Sequence, residues 1–416
     1  MSYIKQCQYY SPVLKLLRLF FIILLASANI SYARFIDDLD QNLVDDSKSF
    51  FNLHARTRLV SDLTIDDNYQ SSQRQNEYKD TRFKNRIYSK FAINNNLYLR
   101  TQFRVERMDS NAEIERRNQL NSGGGSRSFE NIGANIEEIN LNYKIGNLAF
   151  KAGKTNLNFG KAWFWERGMW AYQLPRNYKQ TEKLGLGTIY KIGNESVNGA
   201  YNFSFVAFKN DSKNLDNSIF TKRDSTAKSE NKVGDRTGLK SYVAALDVDL
   251  DFGEKYNAQE KLSYHFAYMN QELRDKSMAN IDYIAQDQES LAFSMHYILP
   301  IYHNFTLDAM YEFADLQNID GNSNISQRYN TISVINRIFQ NYNITLASSN
   351  LVNKEANALG FDQILSEISV GYELKNNKFF DNLLLQMGYK NQRIDYKNRI
   401  DKQNSIGLLI RYIKYF

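Results

Sequence analysis

Alternation of apolar and polar positions with a period of two runs through most of the chain. From Phe50 onward, Phe51, Leu53, Ala55, Thr57 and Leu59 share one face, while Asn52, His54, Arg56 and Arg58 share the other. Between Asn96 and Arg107, Leu97, Leu99, Thr101, Phe103 and Val105 oppose Tyr98, Arg100, Gln102, Arg104 and Glu106. Successive side chains of a strand point to opposite faces, so this pattern describes a sheet with an apolar medium on one side and water on the other. Segments of the same kind recur near 78–93, 135–145, 147–156, 184–193, 196–209, 238–252, 258–272 and 286–299. They continue near 304–316, 328–340, 341–349, 363–374, 379–394 and 404–416. The periodicity thus predicts an all-β protein, an antiparallel transmembrane β-barrel of about 16 strands, with 14 or 18 inside the boundary error. Each segment is about as long as a tilted bilayer crossing requires.

The connections alternate in length. Short ones fall at 94–96, Gly146-Asn147, 193–195, near Gly253, at Pro300, near Gln340-Asn341 and at Asn376-Asn377. Long polar ones fall at 66–77, 108–134, 157–183, 210–237, 273–285, 317–327, 350–362 and 395–403. Gly and Asn tolerate the positive φ of tight hairpins, and short turns on one rim with long loops on the other is the barrel arrangement. The three prolines, Pro12, Pro175 and Pro300, are expected outside strands, because proline cannot donate to a ladder.

The N-terminus changes the picture. Lys5, Lys15 and Arg18 precede an apolar run from Leu19 to Ala28, and Ser31 and Ala33 follow with signal-peptidase spacing. Residues 1–33 therefore read as a secretion signal, 34–49 as a short acidic periplasmic segment, and 50–416 as the barrel. The one cysteine, Cys7, would leave with the signal, which excludes disulfides and thiolate metal sites. Losing three basic residues takes the formal charge from +6 to about +3, so bulk charge gives no argument for nucleic acid. Aromatics make up 14% of the chain while mean hydropathy is −0.55, the combination expected of an outer-membrane barrel.

Residues 137–160, EEINLNYKIGNLAFKAGKTNLNFG, resemble a pattern widespread in Gram-negative outer-membrane porins. In it an acidic residue, here Glu138, opens a strand ending on an aromatic, here Tyr143. A Gly-Asn turn follows (Gly146-Asn147), and the return strand carries Gly153-Lys154 and then Phe159-Gly160. General diffusion, alginate-export and carbohydrate-selective porins carry versions of it. The chain also ends on Phe416, with Tyr412, Ile410, Leu408 and Ile406 on its face, which resembles the signal read by the barrel-assembly machinery; Lys414 departs from it. The resemblance implies a passive channel in the cell outer membrane, embedded in lipid and lipopolysaccharide, whose third external loop narrows the lumen. That loop is 157–183. It implies either a homotrimer, as in general porins, or a monomer, as in alginate-export porins.

Two constellations are candidates for function. Arg56, Arg58, Arg82, Lys84, Arg86, Arg100 and Arg104 share the polar face of the first three strands, where they would form a basic wall that raises local anion concentration. The loop adds Lys161, Arg167 and Arg176, with Glu166 as counter-charge, and holds all three tryptophans, Trp163, Trp165 and Trp170. The expected function is passive diffusion of small hydrophilic solutes with an anion preference. In the saccharide or acidic-polysaccharide alternative, the tryptophans would stack sugar rings. The plainer alternatives are loop cations bridging lipopolysaccharide phosphates, tryptophans that only pack the loop, and wall cations offset by Asp247, Asp249, Asp308 and Glu312. A surface adhesin or structural barrel is the reading from another class. His265 and His296 lie on neighbouring strands without a serine nucleophile motif beside them, so no enzyme, metal site or cofactor is expected.

Overall fold

The computed structural model describes residues 54–72, 77–107, 126–129, 132–165, 167–194, 199–210, 238–255, 258–273, 285–339, 341–355, 360–374 and 382–416. The expected signal, the 34–49 segment and Glu166 lie outside these residues.

Sixteen strands close into an antiparallel barrel. In chain order they are β1 (His54–Ser71), β2 (Tyr78–Ala92), β3 (Leu97–Arg107), β4 (Ile132–Ile145), β5 (Leu148–Thr155), β6 (Lys183–Asn194), β7 (Gly199–Asn210) and β8 (Ser241–Lys255). Then come β9 (Ala258–Gln271), β10 (Gln288–Tyr302), β11 (Phe305–Gln317), β12 (Ile325–Ile338), β13 (Tyr342–Glu355), β14 (Phe361–Leu374), β15 (Leu383–Tyr396) and β16 (Arg399–Tyr415). Each pairs with its sequence neighbours, and β1 also pairs with β16, so the sheet has no free edge. A three-residue segment, Ser126–Ser128, lies parallel to β2 as an addition to this ring.

Period two sorts the two faces. On β14, Leu365, Glu367 and Ser369 are buried in the lumen while Ile364, Ile368 and Val370 are exposed outward. Outward-facing Leu141, Phe150, Leu186, Phe203, Phe266, Leu291, Ile332 and Met387 extend the same apolar belt around the barrel. Near the short turns stand Tyr143, Tyr190, Tyr302, Tyr342 and Tyr372, an aromatic girdle in which Tyr342 and Tyr372 meet at 4.9 Å.

The strands run further toward the long loops than the apolar alternation does. Residues 66–71, 350–355 and 399–403 are strand where loop was expected. Beyond the apolar belt both faces are solvated, so the alternation fades while the ladder continues. Asp66 and Asn68, poor strand formers, are held there by the wall: Asp66 pairs with Arg82, and Asn68 accepts from Ser405 at 2.8 Å. Pro300 also corrects an expectation. It lies within β10, two residues from its end, where the register with β11 shifts, and such irregularities are where a sheet tolerates proline.

The lumen wall is not polar throughout. Val206, Phe208, Val243, Met269, Leu316, Tyr329, Leu351 and Leu365 point inward and are buried, forming one cluster with Leu157, Phe159, Trp163, Met169, Trp170, Leu174 and Tyr178 of the third long loop. That loop is therefore inside the barrel.

Candidate functional site

The chain between β5 and β6, residues 156–182, is fixed to the lumen wall by carboxylates that strands β8, β11 and β14 aim inward. Glu312 on β11 accepts the backbone N–H groups of Lys161 and Ala162, the Tyr178 phenol and the Ser294 hydroxyl. The one-turn helix Ala162–Trp165 starts against it, so the carboxylate meets N–H groups that have no helical partner. Burial, together with the Glu312 charge, raises the Tyr178 phenol well above its ordinary value, so it remains a donor. Glu367 on β14 accepts three consecutive N–H groups, from Met169, Trp170 and Ala171, at 2.6, 2.7 and 2.9 Å. Gly168 makes this approach possible: its φ is +71°, and a Cβ there would lie 2.3 Å from a Glu367 oxygen.

Trp170 lands in a slot. Gly388 on β15 and Gly407 on β16 are direct cross-strand partners facing the lumen, and a Cβ on either would lie 2.9 or 2.5 Å from the indole. The indole N–H donates to Asp66 at 3.2 Å, Lys390 stands over the ring at 5.8 Å, and nothing of the side chain is exposed.

The loop cations serve the same attachment. Lys161 pairs with Asp247 at 2.8 Å, Lys179 with Glu137 at 2.7 Å, and Arg167 with Asp308 at 2.7 Å while donating to Ser333 at 2.6 Å. Lys161 and Arg167, expected on the constriction loop with Glu166 as counter-charge, are thus each matched by a carboxylate of the wall. Trp163 is buried with its N–H on the Phe159 carbonyl at 3.0 Å, and Trp165 packs on His296 at 4.7 Å. Trp163 and Trp170 therefore offer no open face to a sugar ring. Arg176 differs from the other loop cations: it is exposed and borders the open space.

Arg82, Lys84, Arg86, Arg100 and Arg104 do share the lumen face of β2 and β3, and Arg86 and Arg104 are direct cross-strand partners. Such like-charge contact needs compensation, and it comes from the same wall. Arg86 and Arg411 meet Asp62 at 3.1 and 2.7 Å, Arg104 meets Glu137 at 3.0 Å, Arg100 meets Glu138 at 3.3 Å, and Arg107 meets Asp80 at 2.8 Å. The acids expected to offset this wall from across the barrel have other tasks. Asp247, Asp308 and Glu312 hold the loop, and Asp249 accepts from Ser263 at 2.7 Å. Arg56 and Arg58 lie toward the short-turn rim and outside the lining of the open space; the Arg58 guanidinium sits over Tyr88 and Tyr415 at 5.7 and 5.8 Å.

Between the loop and the wall formed by β1–β3 and β14–β16 is an open cavity of about 990 Å³. Arg82, Lys84, Arg107, Arg176, Lys390 and Arg411 supply positive charge to it, and Asp62, Asp66, Asp80 and Glu106 supply negative charge. Tyr172 stands between Lys84 and Arg176, whose charges lie 6.0 and 5.8 Å from its ring. Sequence reasoning missed Arg107, Lys390 and Arg411. The signal that could have found the last two is closure itself: a closed barrel sets its last strands beside its first, so their inward cations join the same wall.

No family model matches the chain, and neither does any curated protein. Among solved structures it is similar to the outer-membrane channel DcaP of Acinetobacter baumannii, with 13% identity over 88% of this chain and 98% of that one and a TM-score of 0.51. OmpT, an outer-membrane protein of Vibrio cholerae (10% identity, 88% and 99% covered, TM-score 0.47), and a BenF-like porin from Pseudomonas fluorescens (9%, 88% and 100%, TM-score 0.47) are similar at lower overlap. At such identities the likeness is one of fold. The chain has the outer-membrane porin fold.

Proposed function

We propose that this protein is an outer-membrane channel through which small hydrophilic solutes diffuse passively, with anions favoured over cations. The observation that carries the reading is that residues 156–182 are held to the lumen wall and still leave one side of the lumen open. Ion pairs and backbone hydrogen bonds hold the segment to the lumen wall, and about 990 Å³ stays open beside it. A solute taking that route passes Lys84, Arg107, Arg176, Lys390 and Arg411 within low-dielectric walls, where a surplus of positive charge raises anion occupancy. The work is done by radius and field, and no covalent step is assigned.

The burial of Trp163 and Trp170 removes the sugar-stacking argument for those two residues. The test is planar-bilayer recording of the refolded chain, with reversal potential under a salt gradient. The proposal expects open steps and an anion-selective potential that weakens in a Lys84→Ala/Arg176→Ala variant. A folded barrel that conducts nothing would overturn it in favour of an adhesive or structural role.

A further inference from the structure

The two aspartates that pair with Lys161 and Arg167 each carry a histidine as well. His265 on β9 is the direct cross-strand partner of Asp247. Its Nδ1 lies 2.8 Å from the carboxylate that also takes Lys161 at 2.8 Å and the Asn158 amide at 2.7 Å. His296 on β10 places Nε2 2.7 Å from Asp308, which takes Arg167 at 2.7 Å. The chain has four histidines, and two of them thus stand on carboxylates that hold the loop.

The two imidazoles are crowded in different ways. His265 is 1% exposed. With its Nδ1–H given to Asp247, Nε2 is a buried lone pair that meets no hydrogen-bond partner among the described residues. Its neighbour on the other strand, Ser294, donates to Glu312, the carboxylate that accepts the Lys161 and Ala162 N–H groups. The charged groups around His265 are therefore Asp247, Lys161 and Glu312. His296 lies between Ser263 and Met310 of the adjacent strands, with Trp165 over its ring at 4.7 Å. Its charged company is Asp308, Arg167 with Nη1 3.3 Å from Nε2, and Arg337 3.4 Å from Asp308, while Asp249 stands behind Ser263.

Histidine is the side chain whose charge ordinarily changes between about pH 5 and 8, and a charge gained where water is excluded must be matched by its neighbours. A proton on His265 turns Nε2 into a donor, and the carboxylates around it are those that hold the loop. Whatever share of Asp247 or Glu312 the imidazolium takes is lost to Lys161 or to the loop N–H groups. A proton on His296 sets a third cation on Asp308, 3.3 Å from the Arg167 guanidinium. We propose that His265 and His296 form a proton-operated release for residues 158–167, which are seated while both imidazoles are neutral and loosened from β8–β11 when both are charged. Glu367 holds Met169 to Ala171 without a histidine, so the second half of the loop keeps its place in acid.

All three tryptophans lie on the loop, so the tryptophan fluorescence of the folded barrel reports the loop alone. The test is acrylamide quenching of the full chain in mild detergent at about pH 7.5 and about pH 5, with heat-modifiable gel mobility certifying a folded barrel at each. Ordinary carboxylates titrate near 4, so this step charges imidazoles and leaves the carboxylates ionised. The wild type is expected to quench more strongly in acid, reversibly. The variant His265→Asn/His296→Gln, which keeps a donor at each aspartate and takes no proton, is expected to lose the change. Should it fail to fold, the two single variants are read in the same way, each expected to lose part of the change. Wild-type quenching that is equal at the two pH values, or variants that keep the full wild-type change, would overturn the proposal. Quenching needs no current, so a barrel that conducts nothing would count against the channel and not against the release.

Discussion

Two sides of one lumen use the same residue types to opposite ends. On the side of β8, β11 and β14, Asp247, Asp308, Glu312 and Glu367 grip the loop: their partners are loop cations or loop N–H groups, and the surroundings are buried and largely apolar. On the side of β1–β3 and β15–β16, Asp62, Asp66 and Asp80 meet wall cations beside an open cavity. What separates the roles is the partner. A carboxylate matched by the loop's own N–H groups or cations acts as an anchor, whereas one matched by wall cations beside the cavity contributes with them to its field. A count of charges along the lumen does not distinguish the two.

The comparison can be broken most sharply at Glu367. Glu367→Ala leaves three buried N–H groups without their acceptor, which is expected to cost about 3 kcal/mol or more and to free the loop. Conductance and open-channel noise should rise in bilayer recordings, and the urea midpoint of the barrel should fall. Conductance equal to wild type would show that Glu367 is no anchor. Next in size is Gly407→Leu, which drives a side chain into the space of the Trp170 indole. Overpacking there is expected to cost about 1–3 kcal/mol, and a displaced Trp170 should show in its fluorescence and in altered conductance.

On the open side the effects are electrical rather than structural. Lys84→Ala/Arg176→Ala should move the reversal potential toward zero while the urea midpoint stays put. Raising salt from about 0.1 to 1 M shortens the screening length from about 10 to 3 Å, so wild-type anion selectivity should fall with it. Smallest of all is Arg56→Ala. This residue is on the lumen face but outside the cavity lining, and its removal should leave selectivity within error of wild type. A shift as large as that of the Lys84/Arg176 variant would place the selectivity-determining field at the short-turn rim instead.

The barrel was legible in the sequence because two media impose a period of two, and short turns such as Gly146-Asn147 mark one rim. The polar strand ends were not, because at Asp66 and Asn68 the period that reveals a strand is lost where both faces meet water. The site was half legible. Inward Arg82 and Lys84 followed from alternation, but the fate of Lys161 and Arg167 depended on Asp247 and Asp308, which are distant in sequence. A hint was present in residues 204–208, Ser-Phe-Val-Ala-Phe, where both faces are mostly apolar. A lumen wall that reads as apolar is a wall with something packed on it, and here that is the loop.

The central claim is that residues 156–182 rest against the wall from β8 to β14 while current passes beside β1–β3. The most direct measurement is a cross-link in the double variant Ala171→Cys/Ser349→Cys, two positions joined in the wild type by a 2.7 Å bond from the Ser349 hydroxyl to the Ala171 carbonyl. With the loop already seated there, a short thiol-reactive linker should join the two cysteines in the folded barrel and leave single-channel conductance at its unlinked value. Failure to cross-link, or a conductance that changes substantially when the link forms, would contradict it.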